Sequence, residues 1–197
     1  MRLLLLFVLM LPAVVQAQYN YSFDTYIPPT TITITGYTGS GGAVNIPNWI
    51  NGNLVVAIGD SAFIGNGSLT SVSIPNSVKS IGIEAFDDCY NMTSVTIPNS
   101  VTSFGDFAFL NCYGLTSVMI PNSVTNIGDN LFDSCNNLTA VYFQGNAPSF
   151  NSAVFNYDNF VTVYYLPETT GWGSTFGGRP TAIWVPYTCT TITARSI

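Results

Sequence analysis

Five residues, Ile-Pro-Asn-Ser-Val, occur at 74–78, at 97–101 and at 120–124, each start 23 residues after the last. The match extends well beyond those five. Aligning the copies puts Ile81, Phe104 and Ile127 in one column, and Phe86, Phe109 and Phe132 in a second. Cys89, Cys112 and Cys135 follow, then Met92, Leu115 and Leu138, then Val95, Val118 and Val141. No single 23-residue copy can enclose its apolar side chains. Stacked copies can, each adding one layer to a continuous core. The chain is therefore expected to fold as a solenoid.

Each copy ends on Leu-x-x-Val-x-Ile spacing, as in Leu115, Val118 and Ile120. Val118 and Ile120 lie two apart and share one face of a strand. Pro121 stops the strand because it has no N–H to donate, and Asn-Ser turns the chain. A second short extended stretch follows. Gly-Asp then precedes Phe-Ala-Phe at 107–109 and Asn-Leu-Phe at 130–132, and Asp60, Asp106 and Asp129 are expected to cap single helical turns. Asn76, Asn99 and Asn122 are expected to stack ~4.8 Å apart as an amide ladder.

At this point the pattern resembles the BspA-type leucine-rich repeat. The motif is carried by Ile74, Pro75, Ser77, Val78, Ile81, Gly82, Ala85, Phe86 and Cys89, with matching residues in the next two copies, and it covers about residues 55–143. The resemblance implies a leucine-rich-repeat solenoid, a β-rich α/β horseshoe. A parallel β-sheet would line the concave face, with short strands and single helical turns on the other side. It also implies a secreted or cell-surface protein that adheres to or binds a partner, with no shared enzymatic activity.

The period extends past the recognisable copies. Strand ends start at Val44, Val72, Val95, Val118, Val141, Tyr164 and Ile183, at intervals of 28, 23, 23, 23, 23 and 19. Phe155 takes the place of Phe132 and Val161 that of Leu138. Asp158 falls where Cys135 was, so that coil is expected to open to solvent there. Solenoid ends expose sheet edges and need covers. Residues 30–42 read as a strand pair with a Gly-rich turn, within an N-terminal cap hairpin at 18–43. The coils span 44–165, and a C-terminal capping coil spans 166–186. The tail, 187–197, fits neither repeat nor cap and is expected to be poorly ordered.

Composition narrows the function. Only 7% of the 197 residues are charged, against about 25% in ordinary soluble domains. Yet 47% are hydrophobic, enough to oppose disorder. The basic residues, Arg2, Lys79, Arg179 and Arg195, form no cluster, which excludes nucleic-acid binding and electrostatic attachment to anionic lipid. Residues 1–17 read as a signal peptide: Arg2, a 13-residue apolar run broken by Pro12, and Val15-Gln16-Ala17 as the cleavage pattern. The run is short of the ~20 residues of a membrane span, so no membrane insertion of the mature chain is expected.

The sequence contains no histidine, which removes Ser-His-Asp and Cys-His pairs. No metal site, catalytic residue or cofactor is implied. The three repeated cysteines read as buried thiols, with pairing between coils as the alternative. Cys189 is either a free thiol or a link between chains.

One feature is not required by stacking. The outward residue of successive strand ends runs Asn45, Ser73, Thr96, Met119, Tyr142, Tyr165, Trp184. The neighbouring column, Ser71, Ser94, Ser117, Ala140 and Val163, stays small. Aromatic side chains on a rigid sheet offer large contact area at low entropic cost. Thr96, Met119, Tyr142, Tyr165 and Trp184 are thus the candidate contacts for an extracellular protein or glycan. For Tyr165 and Trp184 the alternative is a shield over the last strands. As a whole protein, a spacer or self-associating surface element is the second reading. A glycan hydrolase using paired carboxylates is the weakest.

Overall fold

The computed structural model describes residues 18–25 and 29–186. The expected leader (1–17) and the tail with Cys189 (187–197) lie outside the described residues. In chain order the strands are β1 (Tyr19–Phe23), β2 (Thr31–Tyr37), β3 (Gly42–Asn45), β4 (Trp49–Ile50), β5 (Asn53–Ile58), β6 (Leu69–Ser73), β7 (Ser80–Ile81) and β8 (Ser94–Thr96). They continue as β9 (Ser103–Phe104), β10 (Ser117–Ile120), β11 (Asn126–Ile127), β12 (Ala140–Phe143), β13 (Thr162–Tyr165), β14 (Thr175–Phe176) and β15 (Arg179–Ile183).

The strands form a parallel solenoid of about six turns. One side is a back sheet in the order β1-β2-β5-β7-β9-β11, with β4 added to β5. The strand ends of the repeat make the front, in two pieces: β3-β6-β8 and β10-β12-β13-β15-β14. Val72 pairs with Val95, and Val118 with Val141, so identical columns lie in register. The first coil is longer because β4 and β5 form a hairpin on Asn51-Gly52, both at positive φ. Asn-Gly suits this turn because both residues tolerate the left-handed region.

The expected helical turns are absent: no helix occurs among the described residues. The donors that a helix would use internally go to the next coil instead. Ser61, Phe63 and Gly65 donate to the carbonyls of Ile83, Ala85 and Asp87 at 2.8 Å. Glu84, Phe86 and Asp88 repeat this onto Asp106, Ala108 and Leu110, and Phe107, Phe109 and Asn111 onto Asp129, Leu131 and Asp133. To aim alternate N–H groups outward, the backbone turns left-handed at two columns. One is Ser61, Glu84, Phe107, Asn130; the other is Gly65, Asp88, Asn111, Ser134, Tyr157. A left-handed Phe or Tyr is unfavourable alone, and here the inter-coil hydrogen bonds hold it.

The Asp residues have a related role. The carboxylates of Asp60, Asp106 and Asp129 accept from the N–H of Ile83, Asp129 and Ser152, each one coil further on, at 2.8, 2.8 and 3.0 Å. They tie neighbouring coils together rather than cap a helix of their own. The adjacent glycines allow the approach: a Cβ on Gly105 would sit 2.5 Å from the nitrogen of Ile83. The expected Asn ladder is not formed. Asn76, Asn99 and Asn122 are exposed, where water competes for their amides.

Inside, a phenylalanine spine runs along the stack. The centroids of Phe63, Phe86, Phe109, Phe132 and Phe155 are 5.0, 5.3, 5.5 and 5.9 Å apart in turn, with planes within 20°. Tyr37 stacks on Phe63 at the N-terminal end. The repeated cysteines are free and buried. Their thiols donate to the carbonyls of Phe63, Phe86 and Phe109 at 3.2, 3.2 and 3.1 Å.

Asp158 continues the cysteine column, and it is buried too, at 1% exposure. This corrects the expectation of an opening to solvent. Phe155 and Val161 on either side are core residues, so the slot stays closed whatever occupies it.

The ends are covered differently. β1 and β2 pair antiparallel over the back sheet. The Gly-rich stretch after β2 does not return as a partner for it; it leads into β3, which pairs parallel with β6. At the C-terminal end β14 pairs antiparallel with β15, Phe176 is buried, and Trp172 packs on Phe143 and Tyr165.

Candidate functional site

The front sheet carries an aromatic cluster at its C-terminal half. Tyr142 and Tyr164 pair across β12 and β13, and their rings stack at 5.0 Å and 16°. Trp184 lies against Tyr142 at 5.1 Å and 60°. Ala182 stands beside Tyr164 on β15, and its small side chain leaves the indole room to lean back over the sheet. Met119, 44% exposed, borders the cluster, and the amide of Gln144 donates to its sulfur at 3.1 Å.

The column therefore passes through Tyr164 and not Tyr165. The cause is a one-residue deletion at the strand entry. Earlier coils enter on four residues, Leu-Thr-Ser-Val, Met-Thr-Ser-Val or Leu-Thr-Ala-Val, whereas this one enters on Val161-Thr162-Val163. Val141 then pairs with Val163, 22 residues on, and Thr162 takes the place beside Ala140. Because side chains alternate, a slip of one residue exchanges the two faces. Tyr165 takes the phase of buried Phe143 and stacks on Trp172 at 5.2 Å and 8°. Val163, expected in the small outward column, is buried. The shortened "VTV" entry was the signal, overlooked while the 23-residue period was carried through.

Thr96 is exposed on β8 but stands apart from the aromatics. β8 and β10 belong to separate sheets, and no backbone hydrogen bond joins them. Elsewhere Thr93 donates to Thr70, and Thr139 to Thr116; Thr116 makes no such bond to Thr93. Asn91 and Asn137 also donate side-chain amides to the preceding coil, to the carbonyls of Gly67 and Tyr113 at 2.7 Å. The residue between them in that column is Gly114, which has no amide to give. Val95 and Ile97 beside this seam are only partly buried.

The groups with chemical potential elsewhere are inside. Burial pushes the Cys89 thiol up to about 12 and raises Cys112 as well, so these sulfurs are poor nucleophiles. Burial, then the charge of Asp133, lifts the Asp158 carboxyl to about 7, against the opposing pull of Arg179. Neither Asp158 oxygen has a hydrogen-bond partner, nor does Nε of Arg179. Arg179 does donate through Nη2 to the carbonyl of Phe155 at 2.9 Å. In the series of Phe63, Phe86 and Phe109 carbonyls served by the cysteine thiols, Phe132 comes next and Phe155 follows it. Among the described residues no three His, Cys, Asp or Glu are grouped to hold a metal ion.

The BspA type leucine rich repeat region model matches residues 56–176 in six copies. The chain belongs to the BspA-type leucine-rich repeat family. Members of this family are typically surface or secreted proteins. The fold is similar to that of the T. pallidum leucine-rich repeat protein TpLRR, at 32% identity and TM-score 0.69 over 75% of this chain and 69% of that one. A leucine-rich repeat protein from Bacteroides capillosus is also 32% identical, with TM-score 0.53 over 64% of this chain and 94% of its own. The pneumococcal vaccine antigen PcpA, at 16% identity, TM-score 0.55 and coverage of 76% and 37%, shares the fold. No curated protein sequence matches the chain. Among the described residues no helix is long and apolar enough to cross a membrane.

Proposed function

We propose that this BspA-type protein is an exported, non-enzymatic recognition module that holds an extracellular protein or glycan on its front sheet. The observation that carries this reading is the cluster of Met119, Tyr142, Tyr164 and Trp184 on a face otherwise built of small residues, chiefly Ser, Thr and Ala. Stacking of the coils does not need it. The two tyrosines stack face to face, Trp184 meets Tyr142 edge-on, and all three side chains are half-buried. Such a surface offers apolar area together with hydrogen-bonding groups, the combination found at interface anchors. The absence of catalysis is supported by the lack of histidine and by the engagement of Asp60, Asp106 and Asp129 in backbone bonds. Export is supported by the leader-like residues 1–17 and by the habit of the family.

The test is an array of glycans and extracellular proteins probed with wild type, Tyr142→Ala, Tyr164→Ala and the double variant. For any ligand that wild type retains, each single variant is expected to weaken binding about tenfold or more. Tyr165→Ala, on the other phase of the strand, is expected to leave affinity within about twofold. A double variant that binds every such ligand as wild type does removes this face as the site.

A further inference from the structure

Val15-Gln16-Ala17 is the cleavage pattern of the expected leader, and cleavage after Ala17 makes Gln18 the first residue of the mature chain. An N-terminal glutamine is a reactive terminus. Its α-amine can reach the amide carbon of its own side chain and close a small lactam ring.

The fold already holds that side chain in place. Gln18 immediately precedes β1, and its carbonyl accepts from the N–H of Thr38 at 2.8 Å and from Oγ1 of Thr38 at 3.4 Å. The hydroxyl of Tyr37 donates to Oε1 of Gln18 at 3.2 Å. Tyr37 is itself fixed. Its ring stacks on Phe63 at the end of the phenylalanine spine, at 5.0 Å and 26°, and lies 5.2 Å from the ring of buried Tyr19. Gly39 leaves room for the contact: a Cβ there would collide with the Tyr37 hydroxyl and stand 2.8 Å from Oε1 of Gln18. Burial raises the Tyr37 hydroxyl above the usual tyrosine value, so it stays protonated and able to donate. Gln18 and Tyr37 line a groove of about 330 Å³ together with Tyr19, Ser40 and Asn45, and no charged side chain among the described residues lines it. An α-ammonium on Gln18 would meet no carboxylate there to hold it charged.

We propose that Gln18 is a modification site, where the mature N-terminus cyclises to pyroglutamate with the Tyr37 hydroxyl as the donor to the reacting amide. The α-amine nitrogen attacks Cδ of Gln18. Negative charge develops on Oε1, the atom to which Tyr37 already donates, and a donor placed there lowers the barrier. The bond between Cδ and Nε2 then breaks. A proton from the amine passes through water to the departing nitrogen, and one ammonia leaves. No oxidant, reductant or cofactor takes part. The lactam carbonyl is the former Oε1, so it remains an acceptor for Tyr37. The terminus loses its α-amine, the group an aminopeptidase requires, which protects the start of β1 in an exported chain. The proposal rests on the reading of residues 1–17 as a leader.

The full chain, expressed in an exporting host, is weighed intact, and its N-terminal peptide is sequenced by mass spectrometry. The expected product begins at residue 18 and is lighter than its sequence by one ammonia. A second arm measures the rate without the host. Residues 18–197 are released in vitro from a removable fusion that leaves Gln18 first, and ammonia loss is timed, with near-UV circular dichroism checking each fold. Tyr37→Phe keeps the ring on the spine and removes only the hydroxyl; it is expected to cyclise about tenfold or more slowly than wild type. Gly39→Ala, which displaces the hydroxyl, is expected to slow the reaction likewise. In urea, where nothing holds the hydroxyl on the amide, the three rates are expected to match. A mature chain that starts elsewhere overturns this proposal and the leader reading together. A chain that starts at Gln18 and keeps its ammonia, equal rates for folded wild type and Tyr37→Phe, or a gap that persists in urea overturns the proposal and leaves the leader reading intact.

Discussion

The turn corner and the front sheet are made by the same coils, yet they differ in continuity. The corner carries N–H donors to the next coil from Ser61 to Ser134; one of its left-handed columns persists from Gly65 to Tyr157, and the other runs from Ser61 to Asn130. The phenylalanine spine beneath it holds near-parallel rings throughout. The front sheet is open between β8 and β10 and shifts by one residue between β12 and β13. The corner is insensitive to residue type at its strained positions, since Ser, Glu, Phe and Asn all occupy one column. Its order comes from backbone bonding and the spine. The front carries the side chains that vary, and it needs less from each of them. The corner thus supplies stability while the front is left free to specialise.

The sharpest break of this comparison is a cavity in the spine. Phe109 is fully buried between Phe86 and Phe132. Phe109→Ala is expected to cost about 3–5 kcal/mol, whereas Met119→Ala on the front is expected to cost about 0.5 kcal/mol or less. Urea unfolding of both variants measures the difference. Similar losses at the two sites would place the stabilising core elsewhere.

A second effect follows from the cysteine column, where Asp158 is the odd member. Its carboxyl is raised to about 7 by burial and by Asp133, with Arg179 opposing, while an unfolded Asp titrates near 3.9. The folded state therefore binds the extra proton between those values. The contribution of Asp158 to stability is greatest below about pH 4 and is lost as pH rises to about 7, a change of order 2–4 kcal/mol. Asp158→Cys restores a thiol in the slot that faces the Phe132 carbonyl. It is expected to stabilise the protein at pH 8 by about 2 kcal/mol or more and to change little at pH 4. Equal effects at the two pH values would show that the carboxyl does not titrate in this window.

These sites also show which parts of the structure could be read from the chain. Phe86, Phe109 and Phe132 announced the spine because the same letter recurs in a column that must be buried. The helical turns were misread because Gly-Asp before Phe-Ala-Phe or Asn-Leu-Phe is a genuine capping pattern. What decides against a helix is the next coil lying within hydrogen-bonding distance, which no local window contains. Asp158 was misread because a carboxylate in a buried column is costly, and the readable clue was the pair of core residues flanking it. Tyr142, Met119 and Trp184 were placed on the front face from alternation alone. Tyr165 was exchanged for Tyr164 because one residue was missing from a strand entry, and a fixed period hides such a loss.

The smallest effect concerns the seam itself, and it discriminates between an open and a closed front. If β8 and β10 are unpaired, the amides of Ile97 and Thr116 lack the acceptors that Ile74, Thr93 and Thr139 have. Amide exchange depends on opening of the bond that protects the N–H. Ile97 and Thr116 are therefore expected to exchange at least about tenfold faster than those three under native conditions, with no change in global stability. The comparison is internal, since Ile97 holds the repeat position of Ile74, and Thr116 that of Thr93 and Thr139, and the coils differ in whether they contain Gly114 or an asparagine. Equal protection would mean that the front sheet is continuous in solution. Thr96 would then lie on one rigid surface with Met119 and Tyr142. Fast exchange confined to Ile97 and Thr116 would instead divide the face into a polar half and an aromatic half, with only the aromatic half rigidly backed by the strands that hold Tyr142 and Tyr164.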